Sequence, residues 1–542
     1  MSPSVTATPW QEVVLRKRHL RDTAIAPFLS NDNSSVEAES LRILEIDDLQ
    51  NLQKEYHTGT YSAEAVIKAY ITQAALSHSK TNCLTEVNFE NALRAARELD
   101  ELRGANGNLV GPLHGVPMTL KDQFNVEGFD STLGYVGRAF HPATEDCVLV
   151  SILKRLGAVI LAKTNLPQSI MWCETENPLW GLTTSPRAET FTPGGSTGGE
   201  GALLAMRGTL VGWGTDIGGS IRIPSHINGL YGLKPSSGRL PYHGVPVSTD
   251  GQEHVPSVIG PMSRSLSSLT LTMKAVIDAQ PWQLDPKCCP LPWREDLFRE
   301  VQTRPLVIRV MVDDGVVRPH PPIQRALEGM VDLLKKAGHE IVEWKPEGHA
   351  ECVAVADAYY ASDGGEDVRR DVAVAGEPYI PHVEKLFSKG EGISVYEYWQ
   401  LNKRKIAAQK AYLDRWNSTK SPISGRVMDV ILCPPMPHAA VPHRACRWVG
   451  YTKVFNVLDY PAFVFPCSSI SATRDQACGA VAHQPRNSID EWNWNLYDPV
   501  AMDGHPIGLQ IVARRLEEEK VLGVTAMMEQ LVKAATNEPV EN

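Results

Sequence analysis

No Cys-x-x-Cys pair occurs among the ten cysteines of this sequence, and only Cys288 and Cys289 are adjacent. That absence excludes the usual zinc-finger and dithiol redox spacings. Cysteines scattered through 542 residues predict reduced thiols and a cytoplasmic protein. Long apolar runs are missing as well. The most apolar stretch, CVLVSILKRLGAVILAKT (147–164), is interrupted by Lys154 and Arg155, which is too charged for a membrane span. Residues 1–25 lack the continuous apolar core of a secretory signal. Positive charge is outnumbered: the net charge is −10, so no nucleic-acid footprint is expected. The one dense basic cluster, RKRHLR (16–21), follows PWQEVVL and is expected to be the solvated face of an N-terminal helix. Internal repeats, low-complexity segments and linker-like stretches of Gly, Ser and Pro are also absent. Length would allow several domains, but without a linker one large domain is expected.

What is present is an alternation of helices and strands in a chain whose 43% hydrophobic content supports a large core. Residues 61–79 and 89–103 have helical apolar spacing. GVPMTLKDQFNV (115–126) reads as a strand entering a loop, and 147–164 as a helix, a turn at Gly157 and a buried strand. Later come a strand in PLVIRVMVDDG, a helix then a strand in PPIQRALEGMVDLLKKAGHEIVEW, and strands in VMDVILCPP, PAFVFP and PIGLQIVAR. A closing helix follows at 516–533. The expectation is an α/β fold: a single large domain, with a mixed, mostly parallel sheet covered by helices on both faces.

Residues 193–202, PGGSTGGEGA, pose the functional question, with a second glycine-flanked serine in GTDIGGSIRIP. A phosphate loop needs GxxxxGK[ST], and no lysine occurs from 193 until Lys234. A dinucleotide loop needs a strand directly before it, but SPRAETFTPGG is polar and broken by proline. Gly194-Gly195-Ser196-Thr197-Gly198 fits the GxSxG nucleophile elbow, whose turn joins a buried strand to a helix. Here no buried strand precedes. Thr197-x-x-Glu200 before an apolar run reads as a capping box.

The two serines combine into one chemical scheme. Gly218 and Gly219 let the chain before Ser220 curl so that successive N–H groups converge, as an oxyanion hole requires. A serine there still needs a base. No HExxH, histidine pair or carboxylate pair lies nearby, so the candidate base comes from elsewhere in the chain. Lys121, at the end of GVPMTL, is the candidate base, since lysine at the end of a buried strand is costly unless it has a role or a partner. Its ordinary pKa lies roughly 3 pH units too high, about 4 kcal/mol, a gap that desolvation can close. A plain ion pair with Asp122 or another acid is the competing reading. Ser77-x-x-Lys80, at the polar end of a helix, is read as accidental.

GPLHGVPMTLKDQFNV, PGGSTGGEGALLAMRGTLVGWGTDIGGSIRIP and NGLYGLKPSSGRLP closely resemble the amidase signature family. GPMSRS, LPWR, ASDGGEDVRRD and GEPYIP are similar to its fungal acetamidase-type branch. The likeness spans nearly the whole chain and is densest from 111 to 245. It implies one amidase domain over 1–542, with an N-terminal helical segment (1–85), a signature core (86–280) and a remainder (281–542) supplying substrate-pocket segments. It further implies a Ser-(cis-Ser)-Lys triad: Ser220 as nucleophile, Ser196 as bridging serine after a cis peptide bond, and Lys121 as base. By the same resemblance, the backbone of Ile217, Gly218, Gly219 and Ser220 forms the oxyanion hole, and Ile170 and Met171 line the acyl pocket. Family members usually carry serine where Thr197 stands.

The implied activity is hydrolysis of a small monocarboxylic acid amide to carboxylate and ammonia, without metal or organic cofactor. The expected partner is a small-molecule amide; no nucleic acid and no membrane is expected, and a homodimer stays open. Rival readings are an amidase for a specialised indole, aryl or natural-product amide, a glutamine-dependent amidotransferase subunit, and a catalytically silent binding protein.

Overall fold

The protein is described here from a computed structural model covering residues 9–29 and 38–537. The strands, in chain order, are β1 (Leu84–Val87), β2 (Pro117–Lys121), β3 (Val159–Thr164), β4 (Glu176–Asn177), β5 (Gly181–Leu182), β6 (Val211–Asp216) and β7 (Tyr231–Lys234). They continue with β8 (Val258–Ser263), β9 (Val307–Val310), β10 (Glu340–Glu343), β11 (Val430–Cys433), β12 (Ala462–Ser469) and β13 (Pro506–Val512). All but β4 and β5, which pair with each other, join one 11-stranded sheet in the order β1-β3-β2-β6-β8-β7-β12-β13-β11-β9-β10.

The sheet is mixed, as expected, but the parallel share is smaller than expected. Parallel pairing is confined to two blocks, β3-β2-β6 and β11-β9-β10. Six of the ten pairings, including the whole central run from β6 to β11, are antiparallel. The glycine-rich block hides the reason. It contributes β6 and β7, and β8 pairs antiparallel with both. None of the three carries a strong apolar alternation.

Both faces of the sheet are covered. Side chains alternate across a strand, and in β11 the alternation sorts residues into two cores. Val430 and Leu432 join the cluster containing Leu509, Ile511 and the helix residues Leu327 and Val521. Ile431 and Cys433 join Val512, Ala462 and the helix residues Val355, Trp416 and Tyr451 on the other side.

Helices fall where periodicity places them: Ala63–Thr81, Phe89–Asn106, Val148–Arg155, Pro321–Lys336 and Glu518–Asn537. Gly157, with φ 93°, makes the turn into β3. Residues 349–418 carry helices the sequence analysis does not assign, including His349–Tyr360 and Val395–Ser418. In His349–Tyr360 the buried residues share one face, but Ala350 and Ala354 on the exposed face and His349 on the buried one blur the apolar stripe in the sequence.

The N-terminal helix Trp10–Ile25 is present, but its basic cluster is not simply a solvated face. Lys17 is buried in ion pairs with Glu86 (2.6 Å) and Asp130 (2.7 Å). Arg18 donates to Leu179 O, and Arg21 to Asn82 and Leu84 O. These bonds pin the helix to the sheet margin, while Arg16 and His19 face outward.

Candidate active site

Two adjacent parallel strands, β2 and β6, end together, and such C-terminal strand ends form the binding crevice of open α/β sheets. β2 delivers Lys121 and β6 delivers Thr215 and Asp216. Lys121 is fully buried. Its Nζ lies 2.6 Å from Ser196 Oγ and 2.8 Å from Thr215 Oγ1, and Thr215 donates onward to Gln123 Oε1 at 2.7 Å. The ion pair with Asp122 does not form. That carboxylate turns away and accepts from Thr132 N, Thr132 Oγ1 and Leu133 N. Among the described residues Lys121 has no ion-pair partner. Burial therefore dominates and, only partly offset by the charges of Asp216 and Asp122, brings the ammonium pKa down from 10.5 to about 7.

Ser196 reaches Lys121 from an irregular segment, and the Gly195–Ser196 peptide is cis. The strand-turn-helix arrangement belongs instead to Ser220, which follows β6 and precedes the helix Arg222–Asn228. The two serine segments are joined by Thr197 N–H donating to Ser220 O at 3.2 Å. No hydrogen bond links Ser196 Oγ to Ser220 Oγ in this structure.

The capping box is a correction. Thr197 does precede the helix Gly198–Ala205, but its side chain caps nothing. Its hydroxyl donates to Thr215 O at 3.4 Å. The methyl that distinguishes it from serine packs on Gly214, where an added Cβ would sit 2.6 Å from Thr197 Cγ2. Glu200 points into the core beneath β2 and accepts from Thr119 and Thr164. Burial outweighs those two bonds and raises its carboxyl to about 8, so at neutral pH it is mostly protonated.

The loop carrying Ser220 is built around Asp216. Its carboxylate accepts the N–H groups of Gly219 (2.9 Å) and Ile221 (3.1 Å). It also receives two bonds from the buried guanidinium of Arg222, at 2.8 and 3.0 Å. Burial alone would raise the Asp216 pKa; the charge and hydrogen bonds of Arg222 more than offset it and hold it at about 2. Gly219 has φ 136°, a conformation side chains rarely adopt, and Thr452 occupies the space of its missing Cβ. This geometry corrects the expected donor set: the Gly219 N–H is directed at Asp216. Among the described residues the N–H groups of Ile217, Gly218 and Ser220 have no hydrogen-bond acceptor.

Ser220 opens onto a cavity of about 320 Å³ bounded by Ile170, Met171, Ile217, Gly218, Tyr360 and Phe387. Ile170, at φ 59°, and Met171 both border this cavity. Asp357 and Lys453, paired with each other, are the charged groups of the wall. Among the described residues no group of three or more His, Cys, Asp or Glu side chains is arranged to hold a metal ion. No described helix is long and apolar enough to cross a membrane.

Sequence reasoning missed Thr215, Gln123, Asp216, Arg222, Tyr360 and Thr452. Asp216 and Arg222 were visible in GTDIGGSIRIP as two charges inside an otherwise small and apolar run. Tyr360 and Thr452 had no such signal.

A family profile described as Amidase matches residues 65–522. The chain is 56% identical over 523 residues to Amidase 1 of Gibberella moniliformis, covering 96% of this chain and 99% of that protein. It is 40% identical over 479 residues to an acetamidase of Aspergillus oryzae, covering 88% and 87%. Among solved structures, a fatty acid amide hydrolase superposes with a TM-score of 0.86 at 31% identity, covering 97% of this chain and 90% of that one. The profile match, the relatives and the shared architecture agree with the motifs: the chain belongs to the amidase signature family, hydrolases of amide bonds.

Proposed function

We propose that this protein hydrolyses the C–N bond of a small monocarboxylic acid amide, releasing the carboxylate and ammonia through an acyl-Ser220 intermediate. The observation that carries the reading is Lys121: buried, without a counter-ion, and 2.6 Å from Ser196 Oγ. A lysine near neutral pKa is a base rather than a tether.

The neutral Nζ takes the Ser196 hydroxyl proton as Ser196 Oγ takes that of Ser220. The two hydroxyls come into hydrogen-bond contact when substrate is bound, in keeping with the tightening of catalytic contacts on complex formation. Ser220 Oγ adds to the amide carbonyl, and the developing oxyanion is met by the N–H groups of Ile217, Gly218 and Ser220. Collapse breaks the C–N bond, and the proton stored on Lys121 returns through Ser196 to the departing nitrogen. Water, deprotonated along the same relay, then cleaves the acyl ester, and Ser220 recovers its proton. The proton that leaves with the nitrogen is replaced by one from the attacking water, so the triad is restored each cycle and no cofactor is needed.

A second reading, a larger aryl, indole or other specialised amide, is favoured by one observation. The apolar cavity of about 320 Å³ offers far more room than the methyl group of acetamide requires. Purified protein is tested alone, without tRNA, on amides of graded acyl size. Ammonia release is expected with an optimum above acetyl, and Ser220→Ala is expected to lose both turnover and fluorophosphonate labelling. With hydroxylamine present, hydroxamates are expected because the acyl-enzyme can be intercepted. Unimpaired turnover by folded Ser220→Ala refutes the nucleophile assignment.

A further inference from the structure

We infer that Tyr360 and Thr452 are positioning residues that aim the oxyanion-stabilising N–H groups of the 217–220 loop. The inference rests on the acyl-enzyme reading above. A trans peptide unit is planar, with C=O and N–H pointing in opposite directions, so whatever holds one end of the unit aims the other. Three consecutive units of this loop are each held by their carbonyl. Tyr360 Oη donates to Ile217 O at 2.5 Å. Thr452 Oγ1 donates to Gly218 O at 2.6 Å. Ile223 N–H donates to Gly219 O at 2.7 Å.

The three units differ at their other ends. In the middle unit, the Gly219 N–H is taken by Asp216. The two flanking units present the Gly218 and Ser220 N–H groups with no acceptor among the described residues, beside the cavity that Ser220 borders. The loop therefore alternates: one N–H outward, one clamped inward, one outward. Thr452 and Asp216 hold opposite ends of the middle unit, so neither flanking unit can gain a new orientation by turning it. Tyr360 alone holds the carbonyl of the first unit, and Gly218 has no side chain to resist rotation.

Two further features suit the role. Burial pushes the Tyr360 phenol well above its ordinary pKa, so Oη remains a donor throughout the working pH range. A hydrogen bond to a carbonyl also polarises its peptide unit and strengthens donation by the N–H at the far end. Thr452 is tied in from the same side, since its own main-chain oxygen accepts from Arg222 Nη1 at 2.9 Å, the guanidinium that holds Asp216. If Tyr360 were only cavity wall, its ring would do that work and the hydroxyl would be dispensable.

Tyr360→Phe and Thr452→Val delete the hydroxyls and keep the shapes, while Thr452→Ser restores one. For each, kcat and KM are measured on the amide turned over fastest by wild type, per active site titrated with a fluorophosphonate, together with Tm. Tyr360→Phe is expected to lower kcat by about tenfold to a hundredfold with KM little changed, and to slow fluorophosphonate labelling in parallel. Thr452→Val is expected to lose about tenfold or more, and Thr452→Ser to stay within about threefold of wild type. Wild-type kcat per titrated site in both Tyr360→Phe and Thr452→Val overturns the inference, as does a change confined to KM or Tm. Ser220→Ala run alongside separates the two levels. Residual labelling there strikes the acyl-enzyme reading, whereas complete loss with an unimpaired Tyr360→Phe strikes only the positioning role.

Discussion

Lys121 offers the deepest test, because under the proposed mechanism one titration governs both catalysis and stability. Bringing its pKa from 10.5 to about 7 corresponds to on the order of 5 kcal/mol of disfavoured charge. If the neutral amine is the base, kcat/KM rises with pH and levels off above about 7. At pH 5 it is expected to be about a hundredfold below the plateau, the fraction of neutral amine left there. Lys121→Met keeps much of the volume, removes the base, and is expected to lose several orders of magnitude with no acid limb of this origin. The stability sign is the reverse of that for an ordinary ion pair. The native amine sheds its proton near 7 while the unfolded one keeps it to about 10.5, so between those values the unfolded chain binds more protons. The cost of burying lysine is therefore full below about pH 7 and is relieved as pH rises toward 10.5. Lys121→Met is expected to melt higher than wild type at pH 6, with the gap narrowing by pH 9. The assays are a pH–rate profile and a pH series of melting temperatures on the same preparations. An acid limb that persists unchanged in Lys121→Met, or a variant that stays active but melts lower, refutes the assignment of Lys121 as base.

Arg222→Met removes the guanidinium that neutralises Asp216 in a fully buried site, and stranding that carboxylate is expected to cost about 3–5 kcal/mol, read by denaturant unfolding. Loss below about 1 kcal/mol would mean the pair is dispensable. Glu200→Gln tests the raised carboxyl beneath β2. The native group holds its proton to about pH 8, above the unfolded value of 4.5, so wild type loses stability as pH climbs between them. The variant is expected to gain in melting temperature relative to wild type from pH 5 to pH 9; a constant difference across that range would contradict the burial argument.

Legibility followed the range of the interactions. Helices with segregated apolar faces, such as Pro321–Lys336, were visible because burial imposes a 3.6-residue rhythm. His349–Tyr360 was not, because alanines on its exposed face and His349 on its buried face leave the two faces little different in polarity. The Thr197–Glu200 pair shows how a correct local pattern can be overruled. Its spacing matches a capping box, yet β2 and β3 offer Glu200 the hydroxyls of Thr119 and Thr164, and the carboxyl goes inward. RKRHLR failed in the opposite sense: Lys17 met Glu86 and Asp130, acids that sequence proximity could not supply.

By itself the sequence determined the alternation of helices and strands, and its family resemblance supplied Lys121, Ser196 and Ser220 as triad candidates and Ile170 and Met171 as pocket candidates. The alternation follows from composition and periodicity, and the candidates from motifs matched to a family, all of which is local information. Only the tertiary structure decided that the centre of the sheet is antiparallel, that Asp122 turns away from Lys121, and that the Gly219 N–H faces Asp216. It alone brought Tyr360 and Thr452 onto carbonyls 143 and 234 residues earlier in the chain. The physical reason is that a buried polar group must find a partner, and which one it finds depends on the packing of distant elements, for which a single chain carries no periodic signature.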